Sequence, residues 1–375
     1  MIYLDNAATT PMRPEAGAAM QPYLGDRFGN PSGVHGVARR AKDAIEEARE
    51  RIAVALGAAH PLEIVFTGGG TDADNLAVVG SALVSGGGVV TTAVEHDGVL
   101  ESARFVERLG HAVTIVGVDG EGRVDPSAVV AAVDGNTAVV SVMSANNETG
   151  VIQPVSEVAD ALTAAAPDVL FHTDAVQAFA SLPVTVEKTG AAMITVSAHK
   201  IGGPQGVGCL YVRKGVELEP VIHGGGQELG RRSGTHNVAG IVGFAAAVEA
   251  AVADRGRYGS VVGSARDRFE SELASRVKVE VTGADAERLV SHAHLRFPGV
   301  PSETLLIRLD QAGIAAAAGA ACHSGAQLTS HVLDAMGVPP DQGAEAVRFS
   351  FGWADVTATA SAAATVVADV VETLQ

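Results

Sequence analysis

The stretch TVSAHKIGGP, residues 195–204, joins an apolar segment to a glycine-rich turn and places a single lysine, Lys200, between them. Ser197 and His199 precede this lysine, and both side chains can donate hydrogen bonds to an anionic ligand. The glycines that follow have no Cβ atom, so the backbone can approach a ligand closely. A lysine in this setting can form an imine with an aldehyde and exchange it for a substrate amine. Lys200 is therefore the candidate catalytic lysine.

Short β-branched runs alternate with alanine-rich segments on both sides of this stretch. Predicted strands cover residues 64–66, 89–92, 113–116, 138–142, 169–172, 194–196 and 208–212, and predicted helices cover 74–85, 97–109, 126–133 and 155–166. This alternation predicts an α/β fold with a mainly parallel sheet covered by helices on both faces.

The pattern changes after about residue 255. Helices are predicted over residues 257–274, 302–312 and 356–374, with strands over 277–281, 293–297 and 346–351. Mixed elements of this kind indicate a smaller α+β domain, as a chain of this length favours two cores. We expect a large domain over residues 16–255 and a small domain built from residues 1–15 and 256–375.

Composition excludes several classes of function. The net charge is −17 and no run of Lys or Arg stands out, which argues against binding nucleic acid or an anionic membrane. Cys209 and Cys322 are the only cysteines, which argues against a disulfide framework or a cysteine-rich zinc site, and no metal is predicted. The start, MIYLDN, is typical of a strand rather than a signal peptide. We expect a cytoplasmic protein.

A second segment, FHTDAVQ at residues 171–177, carries a carboxylate at the end of a predicted strand. An aspartate beside a pyridine nitrogen keeps that nitrogen protonated and makes the ring an electron sink. Asp174 is the candidate for this role, and Gln177 for a hydrogen bond to a phenolic oxygen on the same ring. The alternative is that Asp174 only caps the following helix.

A third segment, GGGT at residues 68–71, links a predicted strand to a helix. Backbone amides at a helix N-terminus bind phosphate, so Gly70 and Thr71 form a candidate phosphate cup. An amine, a carboxylate and a phosphate cup together suit pyridoxal 5′-phosphate (PLP), which carries an aldehyde, a pyridine ring and a phosphate.

These segments and several others occur in the order found in the NifS/IscS-type cysteine desulfurases of the class V aminotransferase family, which this chain resembles over essentially its whole length. The further motifs are YLDNAATTP (3–11), FGNPS (28–32), VEH (94–96), NNETG (146–150), HGGGQE (223–228), RSGT (232–235), GAAC (319–322) and RFSFG (348–352). The resemblance implies PLP fold type I, with a seven-stranded sheet in the large domain.

The resemblance also implies roles around the cofactor ring. Lys200 would hold PLP and move protons, and His96 would stack on the ring and act as an acid or base. Asp174 would pair with the pyridine nitrogen and Gln177 with the phenolic oxygen. His96 has an alternative role as a helix cap or a buried wall residue.

The implied phosphate ligands are Thr71, Ser197 and His199. Thr235 would reach the phosphate from the partner subunit, which implies a homodimer with shared active sites, although Thr235 is otherwise an ordinary loop residue. Asn147 and Arg348 would bind the carboxylate of the substrate, L-cysteine. The alternative for Arg348 is a structural ion pair.

Cys322 would attack the substrate sulfur, which leaves L-alanine and a persulfide for transfer to an acceptor protein of unknown identity. The family usually has serines and threonines around this cysteine, whereas this chain reads AAGAACH over residues 317–323. His323 is a candidate for stabilising the thiolate. Other readings are a selenocysteine lyase, another class V enzyme, or a PLP-binding scaffold without turnover. Iron–sulfur assembly, tRNA thiolation, DNA phosphorothioation and sulfur-containing metabolites remain open as pathways.

Overall fold

A computed structural model of the chain describes residues 1–318, 330–354 and 357–375. Its strands are β1 (Ile2–Tyr3), β2 (Ile64–Thr67), β3 (Gly88–Thr92), β4 (Val113–Val116), β5 (Thr137–Ser141), β6 (Leu170–Asp174), β7 (Met193–Ser197), β8 (Gly208–Val212), β9 (Glu280–Val281), β10 (His292–Arg296), β11 (Ile314–Ala315) and β12 (Ala346–Ser350).

The helices are α1 (Pro14–Met20), α2 (Gly36–Leu56), α3 (Gly70–Ser85), α4 (Asp97–Arg108), α5 (Pro126–Ala131), α6 (Val155–Ala165), α7 (Val186–Thr189), α8 (Val238–Ala274), α9 (Ser302–Gln311), α10 (His331–Ala335), α11 (Pro340–Gly343) and α12 (Thr357–Glu372). No helix within the described ranges is both long enough and apolar enough to span a membrane.

A seven-stranded sheet forms the larger layer, in the order β2-β8-β7-β6-β5-β3-β4. The strands β3 to β7 pair in parallel, and β8 runs antiparallel to both of its neighbours. Strands β3, β7 and β8 are buried along their whole length, as expected where helices cover both faces of a sheet. The predicted mainly parallel, seven-stranded α/β fold is confirmed.

The predicted start of α3 at Asp74 is wrong by four residues, because the helix begins at Gly70. Gly69 precedes it with a φ of 147°, a conformation that side chains with a Cβ rarely adopt. The glycines therefore belong to the helix entry rather than to a long loop, and Thr71 lies in the first helical turn.

A second, smaller core lies around the antiparallel sheet β12-β10-β9. Its centre is a group of aromatic rings, in which Phe269 lies 5.0 Å from Phe349 and 5.5 Å from Phe351 between ring centroids. Helix α8 contributes to both cores and runs unbroken through residue 255, where the sequence suggests a domain boundary. The bounds 16–255, 1–15 and 256–375 stay a prediction.

The N-terminal segment connects the two cores. Strand β1 pairs in parallel with β11, and Asp5 forms a bridge with Ser350 at the end of β12. The following residues then reach the end of β7, where the amide of Thr10 donates to the carbonyl of His199 at 3.0 Å. This path brings main-chain carbonyls from the N-terminus beside Lys200.

Candidate active site

A cavity of about 850 Å³ opens at the carboxyl ends of β5, β6 and β7. Ligands of α/β proteins bind at this edge of the sheet, and the volume suits a cofactor with a small substrate. The sequence-predicted residues that line it are Gly70, Thr71, His96, Asn147, Asp174, Gln177, Ser197, His199, Lys200 and Arg348. The structure therefore brings together residues that are far apart in the chain.

Lys200 ends a short 3₁₀ turn that directly follows β7. Its Nζ donates to the carbonyl oxygens of Ala7, at 2.5 Å, and Ala8, at 2.8 Å. Burial, followed by the charge of Arg348, lowers the pKa of Lys200 to about 8. The negative charges of Asp174 and Asp5 act in the opposite direction. An amine with this pKa is partly neutral near physiological pH, which is the form that attacks a carbonyl.

Asp174 is the last residue of β6 and is buried at the floor of the cavity. One oxygen, Oδ1, accepts a hydrogen bond from the amide of Val176 at 2.8 Å. Burial raises the pKa of Asp174, while the charges of His96 and Lys200 and the Val176 amide act to lower it. Gln177 follows less than one turn later, and its Nε2 donates to the Ala7 carbonyl at 2.9 Å, so Gln177 and Lys200 share one acceptor.

The phosphate-cup residues meet on the other side of the cavity. A Cβ on Gly70 would lie 3.0 Å from Cγ2 of Val176, so this position has little room for a side chain. The hydroxyl of Ser197 is buried and has no hydrogen-bond partner among the described residues. His199 Nδ1 lies 3.2 Å from Oγ1 of Thr9. Burial, reinforced by the charge of Lys200, lowers the pKa of His199 to about 4, so its ring is neutral.

These features fit PLP. The unpartnered Ser197 hydroxyl lies beside the positive end of α3, where a phosphate oxygen would accept from it. Asp174 offers a buried carboxylate to a pyridinium nitrogen, and Lys200 offers an amine to an aldehyde. The phosphate, the ring nitrogen and the aldehyde of the cofactor thus each have a chemically suitable partner in one cavity.

His96 caps a helix and lines the cavity, while its ring-stacking and acid–base roles stay predictions. It is the N-cap of α4, where Nδ1 accepts from the amide of Gly98 at 3.0 Å. Because Nδ1 accepts, the ring nitrogen that can donate is Nε2. One ring nitrogen also lies within 4.8 Å of carboxylate oxygens of Asp74 and Asp174. Capping therefore holds the ring at the cavity wall.

Arg348 and Asn147, the predicted carboxylate ligands, contact each other. Arg348 lies on β12, and its guanidinium donates to the Asn147 carbonyl at 2.8 Å and to Oδ1 of Asp5 at 2.9 Å. The ion pair with Asp5 occupies one edge of the guanidinium, while Nε has no partner among the described residues. A substrate carboxylate would compete with Asp5 for this cation.

Three candidate residues are not among those that the structure places in the cavity. Thr235 lies in a separate hollow of about 190 Å³ together with Gly68, Arg232 and Glu228. Thr235 does not line the cavity that contains Gly70 and Thr71. Its role from a partner subunit stays a prediction. Cys322, like His323, lies outside the described residues.

Comparison with known proteins identifies the family. The model for aminotransferase class-V matches residues 2–359. The chain belongs to the class V aminotransferases. Members of this family are PLP-dependent enzymes, which agrees with the cofactor expected from the sequence.

Several class V relatives are similar over nearly the whole chain. Cysteine desulfurase IscS of Dictyoglomus turgidum is 43% identical over 355 residues, which cover 94% of this chain and 89% of that protein. A putative cysteine desulfurase, IscS 1 of Bacillus subtilis, is 42% identical over 379 residues, covering 100% and 99%. A solved structure of a NifS-like protein superposes with a TM-score of 0.93 at 34% identity, covering 99% of both chains. One of SspA in complex with cysteine gives a TM-score of 0.82 at 33% identity, covering 94% and 99%.

Several polar groups of this class V site were not predicted from the sequence. Arg348 donates to Asp5, and Lys200 donates to the carbonyls of Ala7 and Ala8. The partners in each of these contacts lie far apart in the chain. Asp74 lines the cavity, although its place on a helix gave it no motif of its own. The sequence did contain a signal for a role of Asp74. Its carboxylate lies among alanine, leucine and valine residues of a predicted helix, and a carboxylate on such a buried face needs a polar partner.

Proposed function

We propose that this protein is a PLP-dependent L-cysteine desulfurase that captures the substrate sulfur as a persulfide on Cys322. The observation that carries the proposal is the meeting of Lys200, Asp174 and the Gly70–Thr71 helix entry in one cavity. The relatives named cysteine desulfurase, at about 40% identity over nearly the whole chain, support the choice of reaction.

The cofactor would be held by groups on three elements. Lys200 after β7 would bond to its aldehyde carbon, and Asp174 at the end of β6 would pair with its ring nitrogen. Thr71, Ser197 and His199 would bind its phosphate. When bound, PLP supplies an electron sink for charge that develops on the substrate carbons.

Lys200 is the group suited to proton transfer at the substrate. With a pKa of about 8, its Nζ can accept a proton and return it near neutral pH. The carbonyls of Ala7 and Ala8 accept from Nζ and so keep the amine on the cavity side of the turn. His96 and Gln177 line the same cavity as this amine.

Arg348 is suited to orient the substrate. A guanidinium binds a carboxylate through two parallel hydrogen bonds, which fixes both the position and the rotation of the amino acid. Breaking the contact with Asp5 would free one edge of the guanidinium for this purpose. Asn147, whose carbonyl contacts the other side of the same group, would complete the carboxylate site.

Cys322 completes the reaction on the basis of the resemblance. Its thiolate would attack the substrate sulfur, forming the S–S bond while the substrate Cβ–S bond breaks. The electron pair of the broken bond stays with the former Cβ, which gains a proton and leaves as part of L-alanine. A thiol with an ordinary pKa of about 8.5 needs a nearby base or cation for this step.

One assay tests the proposal. The protein is incubated with L-cysteine and a thiol reductant, and sulfide and alanine are both measured. We expect equal amounts of the two products from the wild type and neither from Lys200→Ala or Cys322→Ser. Turnover of L-selenocysteine alone would instead identify a selenocysteine lyase. PLP binding without turnover of any substrate would identify a scaffold.

We also propose a homodimer in which Thr235 completes the phosphate site of the partner subunit. The separation of Thr235 from the other phosphate ligands within one chain supports this arrangement. Lys200→Ala and Thr235→Ala proteins, unfolded together and refolded, should regain activity, because mixed dimers contain one intact site. Failure to regain any activity, with dimers formed, would contradict the shared site. The sulfur acceptor is proposed to be a separate protein, identified by persulfide transfer.

A further inference from the structure

Asp74 is a buried carboxyl group at the site for which sequence analysis gave no role. It lies on α3, one turn after the helix entry at Gly70, and is 1% exposed. Its Oδ1 has no hydrogen-bond partner in the described part of the chain. It nevertheless lines the same cavity as Asp174 and Lys200. A buried carboxyl with an unpaired oxygen is costly, so its place here requires an explanation.

The surrounding groups do not supply Asp74 with a counter-charge. His172 Nε2 lies 3.8 Å from Asp74 Oδ1, but the two nitrogens of this ring already contact the hydroxyls of Ser141, at 2.8 Å, and Thr195, at 2.9 Å. Burial lowers the pKa of His172 to about 3, so the ring is neutral. Glu95, on the segment before α4, adds a further acidic group rather than a cation.

Asp174 is an acidic neighbour of Asp74, and its Oδ1 accepts a hydrogen bond, whereas Asp74 Oδ1 accepts none among the described residues. Carboxylate oxygens of the two residues and a His96 nitrogen all lie within 4.8 Å of one another. Asp174 accepts from the Val176 amide and faces the charge of Lys200. Two carboxylates this close in a buried site cannot both stay ionised, and the better-solvated one keeps the charge.

We propose that Asp74 carries a proton at neutral pH and is a positioning residue for Asp174, so that the two carboxyl groups together hold one proton. Neutral Asp74 leaves Asp174 as the carboxylate that a pyridinium nitrogen needs. Its hydroxyl is a donor close enough to Asp174 for one water molecule to bridge them.

Two further observations agree with this assignment. Burial, followed by the charge of Asp174, raises the pKa of Asp74 well above its ordinary value, against a hydrogen bond from Thr195. Gly98 leaves the space for the carboxyl group, because a Cβ at that position would lie 2.9 Å from Asp74 Oδ2. A larger residue at position 98 would displace the Asp74 side chain.

The inference rests on the proposed PLP site, so the experiment has one readout with the cofactor and one without it. Asp74→Asn imitates the protonated group in shape and charge, whereas Asp74→Ala removes the donor. Both variants and the wild type are titrated with PLP, and the pH midpoint of the visible band of bound PLP is measured. Infrared difference spectra of the PLP-free wild type against Asp74→Asn are recorded at neutral pH.

We expect Asp74→Asn to match the wild type in PLP affinity and in pH midpoint, and Asp74→Ala to weaken PLP binding by about tenfold or more. The infrared difference should contain the C=O band of a protonated carboxyl group. An ionised carboxylate band, or a midpoint that Asp74→Asn shifts by about one pH unit or more, would overturn the inference. Equal PLP affinity and midpoint in Asp74→Ala would also overturn it.

A wild type that binds no PLP would instead refute the proposed function. In that case the infrared spectrum of the PLP-free protein still decides whether Asp74 is protonated.

Discussion

Replacing Glu95 by glutamine should make the stability of the protein less sensitive to pH. Glu95 is fully buried, and its Oε1 accepts from the Thr92 hydroxyl at 2.7 Å and the Met143 amide at 2.9 Å. Its Oε2 has no partner among the described residues. Burial is the main cause that raises the pKa of Glu95 from 4.5 to about 8. The folded protein therefore holds a proton on Glu95 over a pH range in which the unfolded chain has lost it.

The size of the effect follows from this difference in pKa. Below about pH 4.5 Glu95 is protonated in both states, and its contribution does not change with pH. Above that, the folded state binds one more proton than the unfolded state, so the free energy of unfolding falls by about 1.4 kcal/mol per pH unit. The fall ends near pH 8, where the folded protein also releases the proton, and amounts to roughly 5 kcal/mol.

Urea unfolding at pH 5, 6, 7 and 8 measures this slope. Glutamine keeps the acceptor oxygen and cannot ionise. The free energy of unfolding of Glu95→Gln, relative to that of the wild type, should therefore rise by about 1.4 kcal/mol with each pH unit. Glu107→Gln, at an exposed position of α4, is the control for removing a glutamate without changing a buried group. A difference between Glu95→Gln and wild type that stays constant over this range would mean that folded Glu95 is ionised, and the reasoning would be wrong.

Two other substitutions test the geometry. Glu228→Gln removes the charge of a buried carboxylate that accepts two hydrogen bonds from Arg49. We expect urea unfolding to show a loss of about 3–5 kcal/mol in the free energy of unfolding. The control Glu249→Gln, at a surface ion pair, should lose less than about 1 kcal/mol. A loss as small as that of the surface pair would contradict the assigned network. Arg348→Lys removes the two-pronged contact with a carboxylate, so KM for L-cysteine should rise about tenfold or more with PLP affinity unchanged, as steady-state kinetics and PLP titration would show. An unchanged KM would place the substrate carboxylate elsewhere.

The sheet was predictable because its strands are short runs rich in apolar and β-branched residues. Val113–Val116 and Gly208–Val212 form strands with the predicted bounds. The start of α3 was mistaken because three successive glycines are poor helix formers, and only the surrounding fold makes them a helix entry. The change of pattern near residue 255 reflects a helix that leaves one core and enters another.

The site was predictable where a side chain is part of a motif. Asp174 ends strand β6, and Lys200 ends the short turn that follows strand β7; the sheet brings such positions to one edge. The contact between Asp5 and Arg348 was not predictable, because it depends on the pairing of the N-terminus with the small core. The carbonyl of Ala7 leaves no trace in the sequence, since every residue has a carbonyl.

The attachment site of PLP tests the account most directly. The protein is loaded with PLP, reduced with borohydride to make the bond between lysine and cofactor permanent, digested, and analysed by mass spectrometry. The account predicts a single phosphopyridoxyl group, on the peptide that contains Lys200, and none in Lys200→Ala. A label on another lysine, or no label in a protein that has bound PLP, would contradict the assignment of Lys200 as the cofactor anchor.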